Sequence, residues 1–186
     1  MAHPKTMQPL VTPEEYLEGE KSCAIKNEFV AGVVYAMSGV TEAHNDICLN
    51  LATWLHSRMP LGCRVFNGAV KLRTKLTPDA SYYYPDVFIS CGPRKADNHV
   101  RDDATLVVEV LSKSTERIDK GEKLLAYTAM PSILEYLIVS QDGARVEVSQ
   151  RRTAWDREIH ETGSSIELDS IQQPLPLSEI YRDLSI

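Results

Sequence analysis

No window of the sequence stays apolar for the ~20 residues that a helical membrane span takes, so neither such a span nor a membrane partner is expected. The opening residues, MAHPKTMQPLVTPEEY, lack the apolar middle of a signal peptide, and the expected setting is cytoplasmic. Cysteine is sparse and shows no CxxC spacing. Cys23, Cys48, Cys63 and Cys91 lie in apolar-looking segments, which argues for reduced core thiols over a zinc site or a disulfide frame. A basic surplus is missing too: 20 Lys and Arg stand against 26 Asp and Glu, for a formal net charge of −6. Proteins that coat nucleic acid draw most of their affinity from neutralised phosphates. Any nucleic-acid role must therefore rest on a local basic surface and a bound cation. Internal repeats, linkers and low-complexity segments are absent, as are a recognition helix or zinc knuckle that would read bases.

What is present is ordinary globular composition, 43% hydrophobic and 25% charged over 186 residues, enough for one domain spanning 1–186 without staples. Thr12-Pro13-Glu14-Glu15 is a helix start with a capping box and proline at the first position. NEFVAGVVYAMSG (27–39) predicts a hairpin turning at Ala31-Gly32. From Thr41, Ile47, Cys48, Leu51 and Leu55 recur at helical spacing until Pro60. Strands are expected at 63–75, 82–90 and 104–111, with a polar loop over 92–103. A helix over 115–130, capped by Ser114 or Thr115, leads to strands at 134–140 and 145–151. Shorter strands near 157–168 and a helical turn near 177–181 complete the chain. Strand, helix and strand over 104–140 form a βαβ unit, parallel and right-handed. The expected fold is α/β, a mixed central sheet flanked by helices.

One residue does not fit its surroundings. Leu106, Val107, Val108, Val110 and Leu111 predict a buried strand, yet Glu109 sits in their midst. An unpaired charge there costs several kcal/mol, so the carboxylate needs a partner cation. A second acid, Asp86, follows Pro85 in YYYPDVFIS; His99 lies near the midpoint of the polar loop, and Asp86 and Glu109 are almost equidistant from that midpoint. Antiparallel pairing across that loop sets the acids side by side. Two carboxylates in one apolar site repel. Mg²⁺ or Mn²⁺ resolves this with a couple of carboxylates plus waters, and the carbonyl of Val110 is a further candidate ligand. Asp119, Lys123 and Tyr127 fall at i,i+4 steps on the following helix, so Lys123 is placed to reach the acid pair.

Pro85-Asp86, Glu109 in VVEVLSKST, DKGEKLLAY (119–127) and LEYLIVS together resemble the Uma-type restriction endonuclease family, a branch of the PD-(D/E)XK nuclease superfamily. The similarity runs from NEFVAGVVYAMSG and EAHNDICLNL to about residue 150, a motif-bearing core of about 26–150. The resemblance implies a restriction-endonuclease-like fold and a Mg²⁺-dependent phosphodiesterase acting on DNA. By that resemblance Asp86 and Glu109 match the metal-binding acids, and Lys123 the lysine this branch carries on the next helix. Leu111 stands where the superfamily pattern expects lysine. Glu28 and His44 lie in matching motifs and are given supporting roles.

Each of these residues also has a plain structural reading. Asp86, Glu109 and Lys123 could form a buried ion pair that orders the sheet, although such pairs contribute little net stability. His44 could line its helix start, Tyr127 could be core with a bonded hydroxyl, and Ser112 could turn the chain or bond a site group. Lys71, Arg73 and Lys75 alternate along KLRTK as a phosphate-tracking stripe or a solvated edge. Arg94, Lys95 and Arg101 on the loop are DNA-contact candidates or loop surface. Two functional classes follow: a metal-dependent endonuclease, or a catalytically inactive nuclease-fold module for nucleic-acid binding or assembly. Cutting both strands takes two sites, so a homodimer is expected.

Overall fold

The segment 82–90 does not run as one strand. Pro85 in its middle has no N–H for a ladder and restricts the residue before it. In the computed structural model, which describes residues 10–75, 80–95, 97–112 and 119–186 (Asp119 by its backbone alone), the chain changes sheets at this point.

In chain order the elements begin with α1 (Pro13–Glu20), β1 (Asn27–Val30), β2 (Val33–Ala36) and α2 (Glu42–His56). Five short strands follow: β3 (Arg64–Phe66), β4 (Lys71–Thr74), β5 (Ser81–Tyr83), β6 (Val87–Ser90) and β7 (Val100–Arg101). Then come β8 (Ala104–Val110), a π-helical turn (Asp119–Lys123), α3 (Leu124–Thr128), β9 (Glu135–Val139) and β10 (Arg145–Gln150). A 3₁₀ turn (Arg151–Thr153), β11 (Arg157–Glu161), β12 (Ser165–Leu168), β13 (Gln173–Pro176) and α4 (Leu177–Ile180) close the chain.

The strands form a five-stranded sheet ordered β2-β1-β5-β4-β7, a six-stranded sheet ordered β11-β10-β9-β8-β6-β3, and a β12-β13 ribbon. The architecture is mixed α/β, as expected, but the single central sheet resolves into two. The predicted strands 63–75 and 82–90 each split, giving β3 and β6 to the larger sheet and β4 and β5 to the smaller. Their two connectors run side by side, with the Gly68 N–H donating to the Pro85 carbonyl at 3.0 Å. β8 and β9 are parallel, as the βαβ reading requires. β13 was not anticipated.

Local signals account for the starts of α1 and α2 and for the hairpin. Thr12 Oγ1 accepts the Glu15 N–H at 3.2 Å while the Glu15 carboxylate accepts the Thr12 N–H at 2.8 Å. Thr41 caps α2 by accepting the His44 N–H at 3.1 Å. At the β1–β2 turn both Ala31 (φ 49°) and Gly32 (φ 82°) are left-handed, as a two-residue hairpin turn with matching twist requires. The predicted helix over 115–130 is observed as the π turn and α3; its expected cap at Ser114 or Thr115 lies outside the described residues.

Alternation along β8 sorts the core. Leu106, Val108 and Val110 pack with Ile47, Leu51, Trp54 and Leu55 of α2. Val107 faces the other way, into a layer with Ala126, Tyr127, Tyr136 and Ile138. Both faces of β8 are covered, which explains its near-continuous apolar run. Glu109 shares the parity of Val107 and so lies on the α3 side. The cysteines depart from expectation. Arg64 and Ser90 are register partners, which makes Cys63 and Cys91 cross-strand neighbours, and they are disulfide-bonded. Cys23 is exposed, and Cys48 is a half-buried thiol.

Glu135, at the start of β9, is fully buried and accepts the Ser170 N–H at 2.9 Å. Burial outweighs that hydrogen bond and pushes its carboxyl up to about 7. The folded chain thus holds this proton more tightly than the unfolded chain does. The resulting stabilisation is complete below about pH 4.5 and is lost as pH rises through about 7. Glu135→Gln should flatten this dependence and exceed wild type in stability by about 2 kcal/mol at pH 8. Urea titrations at pH 5 and pH 8 measure the difference; an equal offset at both pH values would contradict the assignment.

Candidate active site

The ladder between β6 and β8 pairs Val87 with Val108, so Asp86, one residue earlier, falls opposite Glu109. Asp86 lies on the sheet-crossing connector and is tied back to β8: its Oδ2 accepts the Val110 N–H at 2.7 Å. The same oxygen is 3.2 Å from His44 Nε2 at the start of α2. One turn along α2, Cys48 Sγ is 3.5 Å from His44 Nδ1. Burial, and then the charges of Asp86 and Glu109, push the Cys48 thiol well above its ordinary range. It therefore stays protonated beside Nδ1.

Glu109 is 3% exposed, and its charge is met from the helical segment above it. Lys123 Nζ stands 3.1 Å from Glu109 Oε1, and the Tyr127 hydroxyl donates to the same oxygen at 2.8 Å. Burial and the carboxylates of Glu109 and Glu28 raise the Tyr127 hydroxyl far above its usual range, so it remains a donor. Lys123 also lies 3.2 Å from Glu28 Oε1 on β1, an oxygen that accepts the Tyr84 N–H at 3.1 Å. One ammonium thus bridges an acid from each large sheet.

Glu28, Asp86, Glu109, Lys123, Ser112 and Gln141 line a cleft of about 370 Å³. A neighbouring hollow of about 470 Å³ shares His44 and Asp86 and adds Cys48 and Lys26. Two donor sets meet at Asp86. The carboxylates of Asp86 and Glu109 are hard oxygen donors in a solvent-connected cleft and fit Mg²⁺ or Mn²⁺. All bonds to Asp86 among the described residues use Oδ2, so Oδ1 retains acceptor capacity. His44, Cys48 and Asp86 also present ligand atoms within 4.8 Å of one another, a softer set that needs the thiol deprotonated. For Val110 the contact observed is its N–H on Asp86, not its carbonyl.

The proposed basic stripe fares differently. Lys71 is buried, 3.7 Å from Glu20 and over the Tyr84 ring. Arg73 and Lys95 both pair with Asp102. Arg101 is buried against Asp103 and Ser90 and donates to the Pro93 carbonyl. Lys71 and Arg101 are buried against these partners, which corrects their reading as DNA contacts; Arg73 and Lys95 are half-buried in their ion pairs with Asp102, and Lys75 and Arg94 are exposed. Ser112 lines the cleft, while the Asp119 side chain lies outside the described residues. Sequence reasoning missed Cys48 and Gln141 as site neighbours. The i,i+4 spacing of His44 and Cys48 was a usable signal. For Gln141, whose amide donates to the Leu111 carbonyl at 2.6 Å, there was none.

Residues 13–180 match a family model described as "Uma2: Putative restriction endonuclease". Among curated proteins, the chain is 33% identical over 190 residues to "Uncharacterized protein slr1290" of Synechocystis, covering 100% of this chain and 99% of that one. It is 32% identical over 146 residues to "Uncharacterized protein sll1609" of the same organism, covering 76% and 81% respectively. Among solved structures, one described as a "putative nuclease belonging to DUF820" from Anabaena variabilis matches with a TM-score of 0.74 at 15% identity. That match covers 91% of this chain and 97% of the other, and at this identity it speaks for the fold.

Removing a partner from a buried ion pair leaves an uncompensated charge. Lys123→Met should destabilise the protein by about 3 kcal/mol at pH 7. Adding Glu109→Gln to Lys123→Met should recover at least about 1 kcal/mol. A urea double-mutant cycle tests this; strictly additive losses would show that the two groups are not coupled.

Proposed function

Because the chain belongs to the Uma2 restriction endonuclease family, we propose that its cleft hydrolyses phosphodiester bonds in DNA with Mg²⁺ or Mn²⁺ as cofactor. The observation that carries this reading is the meeting of Asp86 and Glu109 beside Lys123 in one solvent-connected cleft. Asp86 and Glu109 would hold the ion. When bound, it supplies Lewis acidity toward the phosphoryl group and lowers the pKa of water.

The chain's own residues do the rest. His44 Nε2 and the Val110 N–H fix the position of the Asp86 carboxylate. Tyr127 orients Glu109. Lys123 places a positive charge where a phosphate oxygen gains negative charge during displacement. Glu28 steadies Lys123 from the opposite sheet. With DNA as substrate, the cytoplasm is the compartment proposed. A homodimer would supply one site per strand. The β2 edge, where Val33, Val34 and Tyr35 are exposed, supports such an association.

A second reading, an inactive nuclease-fold module for nucleic-acid binding or assembly, draws on Leu111 two residues after Glu109 and on the internal pairing of the basic residues. The two separate on one experiment. Supercoiled plasmid should be nicked in the presence of Mg²⁺ or Mn²⁺. Asp86→Ala and Glu109→Ala should each lower the rate by at least about 100-fold, the scale of losing one group that stabilises the transition state. Cleavage that persists unchanged in both variants would remove this site from consideration. No cleavage, with no heat of Mn²⁺ binding, would favour the module.

A further inference from the structure

Two strands from Glu109, on the same face of the six-stranded sheet, a second buried acid is in a similar situation. Glu109 pairs with Ile138 between β8 and β9, and Ile138 pairs with Glu147 between β9 and β10. Residues paired across a ladder project to the same side, and at about 4.8 Å per strand the two acids stand roughly 10 Å apart. Glu147 is 5% exposed. Lys120 Nζ lies 2.8 Å from its Oε1, Arg157 3.2 Å from its Oε2, and Arg145 3.4 Å from its Oε1. Burial alone would raise the Glu147 carboxyl, but Lys120, then Arg157 and Arg145, hold it below the usual range.

Lys120 and Lys123 sit three residues apart in one π turn, Asp119–Lys123. In an α-helix, residues three apart lie only about 60° from each other around the axis. The wider π coil, with its i→i+5 bonds, turns less per residue and so splays the pair further. One lysine reaches Glu147 and the other reaches Glu109 and Glu28. The turn therefore straddles the row of acids. Its C-terminal side continues into α3, where Ala126 and Tyr127 are set in the apolar layer.

We propose that Glu147, acting through Lys120, is a positioning residue for the nuclease site. It seats the π turn on the sheet and so fixes where Lys123 stands over Glu109. This rests on the reading of Lys123 as the charge-stabilising group. A buried carboxylate ringed by cations is a poor source of net stability compared with apolar packing, whereas its directional contacts fix a geometry. Use of Lys120, Arg145 and Arg157 as a phosphate cradle is opposed by the carboxylate at their centre.

The test uses the full chain with Glu147→Gln, Lys120→Met and the conservative Lys120→Arg. Plasmid nicking with Mn²⁺ gives kcat and KM. The ¹⁵N resonance of the Lys123 ammonium and amide exchange over 119–123 report the turn directly. Glu147→Gln and Lys120→Met should lower kcat about tenfold at unchanged KM, shift the Lys123 resonance and speed exchange, while Lys120→Arg restores most of each. A raised KM with kcat intact would indicate a phosphate contact and overturn the proposal, as would an unaltered Lys123 resonance with unaltered exchange. Should one variant fail to fold, the other carries the same readouts. Absence of cleavage by the wild-type protein would sink the nuclease reading alone, because resonance and exchange still decide whether Glu147 seats the turn.

Discussion

The bridge from the Lys123 ammonium to Glu28 and Glu109 is the contact on which the arrangement of the cleft depends. Each acid belongs to a different sheet, and each is largely removed from water. Taken alone, either carboxylate would carry the cost of burying an unpaired charge. Sharing one cation makes their burial mutually dependent, and the bridge spans two sheets that also share an apolar layer of Leu72 and Tyr83 with Phe88 and Val107. Tyr127 and the Tyr84 N–H add hydrogen bonds that hold the ion triad in place.

Pro85 is the backbone counterpart of that bridge. By ending β5 and delaying β6 it creates the crossing on which Asp86 sits. An aspartate inside a continuous strand would have had its position set by the pleat alone. On the connector it can turn its carboxylate toward the Val110 N–H and His44 and still fall opposite Glu109 in the ladder.

Much of this was legible in the sequence because it follows from local periodicity. An acid in an apolar strand demands a cation. Equal spacing about the midpoint of the 92–103 loop predicts the pairing of Asp86 with Glu109, and i,i+4 spacing places Lys123 and Tyr127 on one side of a helix; both contact Glu109. What stayed hidden depends on distant partners. A period of two shows which way a side chain points but not to which sheet a strand belongs, so one expected sheet became two. Lys71 and Arg73 alternate like a basic surface, yet Glu20 and Asp102 meet them from elsewhere in the fold, while Lys95 and Arg101 pair within their own loop with Asp102 and Asp103. The pairing of Cys63 with Cys91 likewise needs the β3–β6 register. The π turn differs from an α turn by a hydrogen-bond offset that carries no composition signal.

The departure at Leu111 follows from the same physics. Parity along β8 puts Val107, Glu109 and Leu111 on one side, so a lysine at 111 would approach the acids from the strand itself. Here Leu111 continues the ladder, its N–H bonded to the Val139 carbonyl at 2.8 Å, and packs into the apolar layer of Tyr136 and Ile138. The positive charge arrives from the π turn above. Chemistry at a phosphate depends on where the ammonium sits in space, not on which position of the chain supplies it. A charge carried on a turn is only as well placed as the turn. A lysine on a strand inherits the rigidity of the ladder, whereas Lys123 has to receive its rigidity from contacts such as Lys120 with Glu147, and moving the lysine off the strand makes those contacts necessary.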